Sequence, residues 1–228
     1  MGLMNYQPNF FKFLFSINDH LFRLRQAEAM SSIWRSNSLL ILLSMLIYLW
    51  MAFLGMGSNL ISGDALILGA LNYESSKFWF VIGRLLYGAF FASFILFVPA
   101  YLFKLLTDIP FKKLVVMQQV VLFIMLIERL LWIPLMLFAG LDWYVSPLSF
   151  GIIASYITDH SWAIYFFGAI SVFQLWIIGF QVLFLKSMTT GLRERSLWLS
   201  VIFLHILWWG LAAIFSFTDQ SIISGWFG

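Results

Sequence analysis

The chain has 228 residues, of which 62% are hydrophobic and only 10% are charged, and its formal net charge is +3. Soluble domains have about a quarter of their residues charged, so this composition excludes an ordinary water-soluble protein and indicates one whose solvent is the lipid bilayer. The small net charge excludes nucleic acid as a probable partner. The absence of cysteine excludes a disulfide framework, an iron–sulfur site and a thiol nucleophile.

The segment before the first apolar stretch has the pattern of an amphipathic helix. Its apolar side chains recur at helical spacing, at Phe10, Phe13, Leu14, Ile17, Leu21 and Leu24. The charged residues Lys12, Asp19 and Arg23 fall largely elsewhere on the helical wheel. We therefore predict a helix over 9–31 that lies in the membrane interface. It is either a simple anchor or a docking helix for a cytoplasmic partner.

Five stretches are long and apolar enough to cross the hydrocarbon core, which takes about 20 residues. They lie near 38–56, 78–103, 114–139, 161–185 and 196–217. The first of them follows a long charged segment, so we expect a retained span rather than a signal peptide. The sequence thus predicts an all-α integral membrane protein, with five transmembrane helices in a single membrane domain, 1–228.

The distribution of lysine and arginine predicts the orientation of these spans. With a cytoplasmic N-terminus, ten cations fall on the cytoplasmic side, namely Lys12, Arg23, Arg25, Arg35, Lys104, Lys112, Lys113, Lys186, Arg193 and Arg195. Lys77 alone falls outside, while Arg84 and Arg129 lie within spans. The positive-inside rule then predicts a multi-pass protein of the cell membrane with an extracytoplasmic C-terminus. Both outer loops, 57–77 and 143–160, are apolar, and they face water, lipid or another protein.

Three charged residues lie within the predicted spans: Arg84, Glu128 and Arg129. At 1.5 Å per residue, Arg84 and Glu128 both lie about 9 Å from the outer boundary of the hydrocarbon. We therefore predict an Arg84–Glu128 ion pair, with Arg129 sharing the carboxylate or extending outward. Such a pair either pins two helices together or forms part of a proton or substrate site.

Uncharged polar residues also fall at matching depths. His205 in the fifth span and Gln174 in the fourth lie near mid-membrane, so we expect them to hydrogen-bond across a helix interface. Gln118, Gln119 and Gln181 lie nearer the inner side and have the same expected role.

Two features of the sequence bear on helix packing. The second span contains two overlaid pairs of small residues four apart, Gly88 with Ala92 and Ala89 with Ser93, which favour close approach of helix backbones. The partner helix is either in this chain or in another one. Pro99 and Pro134 are predicted to kink the second and third spans.

The sequence contains no zinc-binding His-Glu-x-x-His motif, no phosphate-binding Gly-rich loop and no Gly-x-Ser-x-Gly elbow. We therefore expect no catalytic residues, no metal site and no cofactor.

A basic amphipathic N-terminal segment, five spans and an outer C-terminus resemble the Yip-domain family of membrane proteins. Within that family, the chain is similar to bacterial members that accompany a MacAB-like ABC exporter. The Asp-Tyr/Leu-x-Gly-Pro motif of the eukaryotic members is missing, which argues against vesicle trafficking. The resemblance implies an accessory protein that helps to assemble an ABC permease and its adaptor protein, in an exporter that protects against toxic peptides.

The leading hypothesis is thus a non-enzymatic accessory or assembly subunit of a larger membrane complex. The alternative is a small permease or channel that works through the cluster of Arg84, Glu128 and Arg129. A third hypothesis, a membrane enzyme acting on a lipid or isoprenoid, requires more converging polar groups than this sequence offers.

Overall fold

In the computed structural model, the described residues are 5–6, 16–27, 29–30, 32–62, 69–189 and 191–218. The strands in this part of the chain are β1 (Asn5–Tyr6) and β2 (Ala29–Met30), which pair in parallel over two residues. The rest of its regular structure is helical, so the all-α class predicted from composition is confirmed.

The described residues form nine helices. In order they are α1 (Ile17–Gln26), α2 (Ile33–Phe53), α3 (Asn59–Ser62), α4 (Ala70–Leu106), α5 (Phe111–Ala139), α6 (Gly151–Ile157), α7 (Ser161–Gly168), α8 (Val172–Met188) and α9 (Glu194–Thr218). A short 3-10 turn, Trp143–Val145, precedes α6.

Four of these helices, α2, α4, α5 and α9, are long and apolar enough to cross a membrane, as in a multi-pass membrane protein. They correspond to the stretches predicted near 38–56, 78–103, 114–139 and 196–217. In each case a long uninterrupted run of apolar residues forms one continuous helix, because a helix satisfies its backbone hydrogen bonds internally.

The fourth predicted span differs from the expectation. The sequence predicts one continuous helix near 161–185, whereas the structure ends α7 at Gly168 and begins α8 at Val172. With 17 residues, α8 is shorter than the about 20 residues that cross the hydrocarbon core. The helices α6 and α7 form a short hairpin that leads into the break.

The bundle has two ends, which we name by the residues that lie there. The basal end is where α2 and α5 begin and α4 and α8 finish. Four residues are buried there in one apolar cluster, which we name the basal cluster: Ile33, Phe103, Leu114 and Leu185. The apical end is the opposite one, where α2 and α5 finish and α4 and α7 begin. A second apolar cluster joins α2, α4 and α5 between the two ends.

The first helix, α1, packs on this bundle. Leu21 and Leu24 of α1 are buried in the basal cluster, while Phe22 is 61% exposed. The Lys113 ammonium group donates a hydrogen bond to the carbonyl of Arg25 at 3.1 Å. The buried face of α1 is therefore covered by protein. Of the range predicted for this helix, residues 9–15, 28 and 31 lie outside the described residues.

The small residues of α4 lie against α2. A Cβ at Gly88 would be 3.0 Å from the Met45 Cα atom, so only glycine lets the two backbones approach this closely. The Ser44 hydroxyl donates to the Gly88 carbonyl at 2.8 Å. Ala92, one turn on, is fully buried. Ala89 and Ser93 are half-buried.

Candidate functional site

The break between α7 and α8 is held by the segment before α6. The Phe150 N–H donates to the Ile170 carbonyl, and the Val172 N–H donates to the Leu148 carbonyl, both at 3.0 Å. Ser149 and Ser171 face each other as an antiparallel bridge and are both buried. Unwound backbone within a membrane protein needs such partners, because lipid supplies none.

Two glycines allow this arrangement. A Cβ on Gly151 would collide with the Tyr144 carbonyl oxygen, and one on Gly168 would lie 2.7 Å from the Tyr144 Cα atom. The start of α6, the end of α7 and the 3-10 turn therefore meet at a point that has no room for a side chain.

The Glu128 carboxyl group of α5 faces the beginning of α8. It is buried, and it interacts with the side chains of Ser171 and Gln174 and with the charge of Arg129. Ser171 is the N-cap of α8, and its hydroxyl accepts a hydrogen bond from the Gln174 N–H at 3.2 Å. A carboxylate in this position is stabilised by the positive end of the helix dipole.

The predicted ion pair between Arg84 and Glu128 is wrong. The Arg84 Nη2 atom donates instead to the Met56 carbonyl at 2.6 Å, and its guanidinium carbon lies 5.5 Å from the centroid of the Phe80 ring. Where the structure describes the chain, the ion pairs are all exposed: Arg23–Asp19 at 3.1 Å, Lys77–Glu74 at 2.8 Å and Lys186–Glu194 at 2.7 Å.

Arg129 is held by aromatic rings. Its guanidinium carbon lies 3.6 Å from the Trp132 ring centroid and 5.4 Å from that of Phe91. The Tyr48 hydroxyl also interacts with it. A guanidinium group over such ring faces is stabilised by cation–π attraction. Arg84 thus lies at the turn after α2, Glu128 at the start of α8, and Arg129 against the rings of Trp132 and Phe91.

The predicted hydrogen bond between Gln174 and His205 is also wrong. The His205 Nε2 atom lies 3.0 Å from the Gln181 Oε1 atom, and both side chains are buried. Gln181 lies two helical turns beyond Gln174, which is engaged by Glu128. The pairing still joins α8 to α9, the two helices that the prediction named.

A second polar group lies towards the basal end, and the sequence analysis missed its central residue. Asn37 is 1% exposed, and its Oδ1 atom accepts a hydrogen bond from the Gln119 Nε2 atom at 2.6 Å. The same Nε2 atom donates to the Ile33 carbonyl at 3.2 Å. Asn37 directly precedes the predicted first span. A polar side chain at that position is typical of the end of a span, so the sequence does not predict that it is buried.

These arrangements join neighbouring helices to one another. Among the described residues, no group of three His, Asp or Glu side chains could hold a metal ion. Two cavities in the described part of the chain, one beside Arg193 and Trp198 and one beside Asn37, are not lined by Arg84, Glu128 or Arg129.

Comparison with known proteins finds no protein-family model that matches the chain, and no curated protein and no solved structure matches it either.

Proposed function

We propose that the chain is a non-enzymatic accessory subunit that assembles with other subunits in a membrane complex, of the kind formed by an ABC exporter for toxic peptides. The observation that carries this proposal is the apical overhang, which we define as residues 70–79 of α4. Its exposed apolar side chains suit a protein partner. The resemblance of the sequence to the Yip-domain family supports an exporter as the complex to which that partner belongs.

The length of α4 creates the overhang. The helix has 37 residues and is about 55 Å long at 1.5 Å per residue. The hydrocarbon core is about 30 Å thick, or about 40–45 Å with the headgroups, and an average tilt of about 20° leaves the helix longer than both. Because Phe103 lies in the basal cluster, the excess length is at the beginning of the helix.

The overhang has little cover from its own chain. Leu71 is 89% exposed, and Phe78 and Trp79 are 59% and 66% exposed. Local support comes from the Lys77 ammonium group, which lies 2.8 Å from Glu74 and 4.5 Å from the Tyr73 ring centroid. Most of the stability of a helix in a protein comes from tertiary packing, and the ten residues of the overhang have little of it. A neighbouring subunit that covers Leu71 would therefore stabilise both the helix and the complex.

We further propose five spans, with α7 and α8 together forming the fourth. The basal end then faces the cytoplasm of the cell, because the cations of the short loops gather there. The N-terminus is cytoplasmic, α1 lies at the inner interface, and the C-terminus and the apical overhang are extracytoplasmic. An adaptor protein outside the membrane and a permease within it are the expected partners.

The test is a gentle detergent extraction of the tagged chain from its native membranes, followed by mass spectrometry of the proteins recovered. We expect permease, ATPase and adaptor subunits in fixed proportion. Leu71→Glu should release them, whereas the control Leu192→Glu should not, since Leu192 is an exposed apolar residue (42%) between α8 and α9, at the basal end. Recovery of the chain alone, with no partner lost on substitution, contradicts the proposal.

The alternative is a small permease or channel, and the broken fourth span favours it. Transporters place substrate and ion sites at unwound helices whose N-termini face anionic groups, and Glu128 faces such an N-terminus. The purified chain in liposomes should then dissipate an imposed pH or salt gradient. The Glu128→Gln variant should dissipate that gradient more slowly. A rate equal to that of empty liposomes removes this alternative.

A further inference from the structure

A cavity of about 230 Å³ opens at the basal end between the first turns of α2 and α5. Pockets for drug-sized ligands measure about 300–1,000 Å³, so this one suits a smaller group. Its polar lining comes from Ser32, Arg35, Asn37 and Lys112, and none of the described residues that line it is acidic.

The electrostatics of this cavity favour an anion. Arg35 and Lys112 contribute two positive charges, and both side chains are exposed beside it. The first turns of two helices meet there, and the first N–H groups of a helix have no acceptor within it. These groups and the positive ends of the two helix dipoles attract a phosphate or carboxylate group.

A buried donor points to a ligand independently of these charges. The Gln119 Nε2 atom donates to the Ile33 carbonyl and to the Asn37 Oδ1 atom, which fixes the orientation of both amides. The Asn37 Nδ2 atom is then left without a hydrogen-bond partner, although the residue is 1% exposed and lines the cavity. Buried donors are nearly always satisfied, and an anionic oxygen in the cavity would satisfy this one.

The remaining lining is aromatic and faces outward from the bundle. The rings of Trp34 and Phe97 lie 6.1 Å apart, and Trp34 is 71% exposed. Trp side chains favour the level of the headgroups, and Phe97 lies deeper along α4. A ligand in this cavity therefore meets cations and an amide at one end and aromatic rings at the other.

We propose that this cavity binds the phosphate group of an anionic phospholipid, whose acyl chains run along Trp34 and Phe97. Basic pockets between transmembrane helices recognise lipid headgroups in this way. Arg35 and Lys112 neutralise the phosphate, and the Asn37 amide donates to one of its oxygens. Inorganic phosphate has the same anionic chemistry without the apolar part.

The test is native mass spectrometry of the purified full chain in detergent, titrated with phosphatidylglycerol, phosphatidylcholine or inorganic phosphate. We expect phosphatidylglycerol to bind at least about tenfold more tightly than phosphatidylcholine, given two cations in the site. Equal affinity for the two lipids overturns the proposal. A phosphate adduct that phosphatidylglycerol does not displace overturns the assignment to a lipid.

Substitutions place the binding in the cavity. Arg35→Gln with Lys112→Gln should abolish the preference for phosphatidylglycerol, whereas Arg25→Gln with Lys104→Gln removes the same charge from exposed positions outside the cavity and should preserve it. If both double variants lose the preference for phosphatidylglycerol equally, the preference comes from general electrostatic attraction to the basal surface, and the proposal is overturned.

Asn37→Asp tests the buried donor separately. It keeps an oxygen that accepts from Gln119, but it places a carboxylate where the phosphate would lie. We expect this variant to unfold at a lower temperature than the parent chain, because it buries a carboxylate, and to lose the preference at temperatures where it is folded. A preference retained by a folded Asn37→Asp protein also overturns the proposal.

Discussion

The proline-containing helices α4 and α5 are continuous, whereas the apolar stretch 161–188, which has no proline, is broken. Pro99 lies inside α4 and Pro134 inside α5, and each helix continues past its proline for more than a turn. The stretch 161–188 contains no proline, yet it is interrupted between Gly168 and Val172. A missing backbone donor is therefore neither sufficient nor necessary to break a helix here.

The difference lies in what each backbone can bond to. A proline frees one carbonyl group, and neighbouring helices and small adjustments accommodate it. At the break, residues 148–150 supply a backbone donor and a backbone acceptor, and Gly151 and Gly168 provide the space. The position of an interruption is thus set by tertiary partners, and each of its parts can be tested by substitution.

The largest effect is expected from Gly168→Val. The new side chain would collide with Tyr144, where even a Cβ lies 2.7 Å from the nearest atoms. Overpacking of this kind costs about 1–3 kcal/mol or more, so we expect a clear fall in the unfolding temperature in detergent.

The matched control for that substitution is Gly179→Ala in α8, where a Cβ meets nothing within 4 Å. We expect no destabilisation there, because alanine is the better helix former by about 0.5–1 kcal/mol. An equal fall in unfolding temperature for both variants would mean that the packing around Gly168 is no closer than the packing around Gly179.

Glu128→Ala comes next. It removes the carboxyl group that faces the buried Ser171 and the half-buried Gln174, at a cost of about 1–3 kcal/mol. Glu194→Ala is the control, because its ion pair with Lys186 is exposed and such pairs contribute about 0–1 kcal/mol. Thermal unfolding that ranks Glu194→Ala as the more damaging change would refute the assignment.

Ser171→Ala should remove the cap of α8, at a cost of about 1 kcal/mol. The loss should be local, with faster amide hydrogen exchange in the first turn of α8. Ser155→Ala is its control, since that hydroxyl is exposed and bonds within its own helix. Unchanged exchange in α8 would show that the break does not depend on its cap.

The smallest effect is expected from Pro134→Ala. Because α5 is already continuous and Pro134 is exposed, we expect a smaller change in stability than for Ser171→Ala. Spin labels at introduced cysteines can measure the distance between the ends of α5, as the chain has no cysteine of its own. A large change in that distance would show that Pro134 does shape the helix.

Apolar length predicted the four long helices because it is a property of each segment alone. The first predicted span, near 38–56, corresponds to Ile33–Phe53, and the third, near 114–139, to Phe111–Ala139. The break could not be predicted in this way. Residues 168–171 suit either a helix or an unwound turn, and the partners that decide between them lie about 20 residues earlier in the chain.

The two wrong pairings have one cause. Depth along the bundle was inferred from sequence position, and it places Arg84 near Glu128 and Gln174 near His205. A contact also requires the two side chains to point towards each other, and each residue turns a helix by about 100°. Glu128 points towards α8 and Arg84 towards the turn after α2, and that rotation depends on packing between helices.

The backbone bonds at the break also bear on how the protein is made. Residues 148–150 leave the ribosome before Ile170 and Val172, to which they bond. The partners of the interruption are therefore already present when residues 168–172 are synthesised, and chains fold from the N-terminus during synthesis. The unwound turn need not wait for a later segment of the chain, so the hairpin and α8 can fold as one unit.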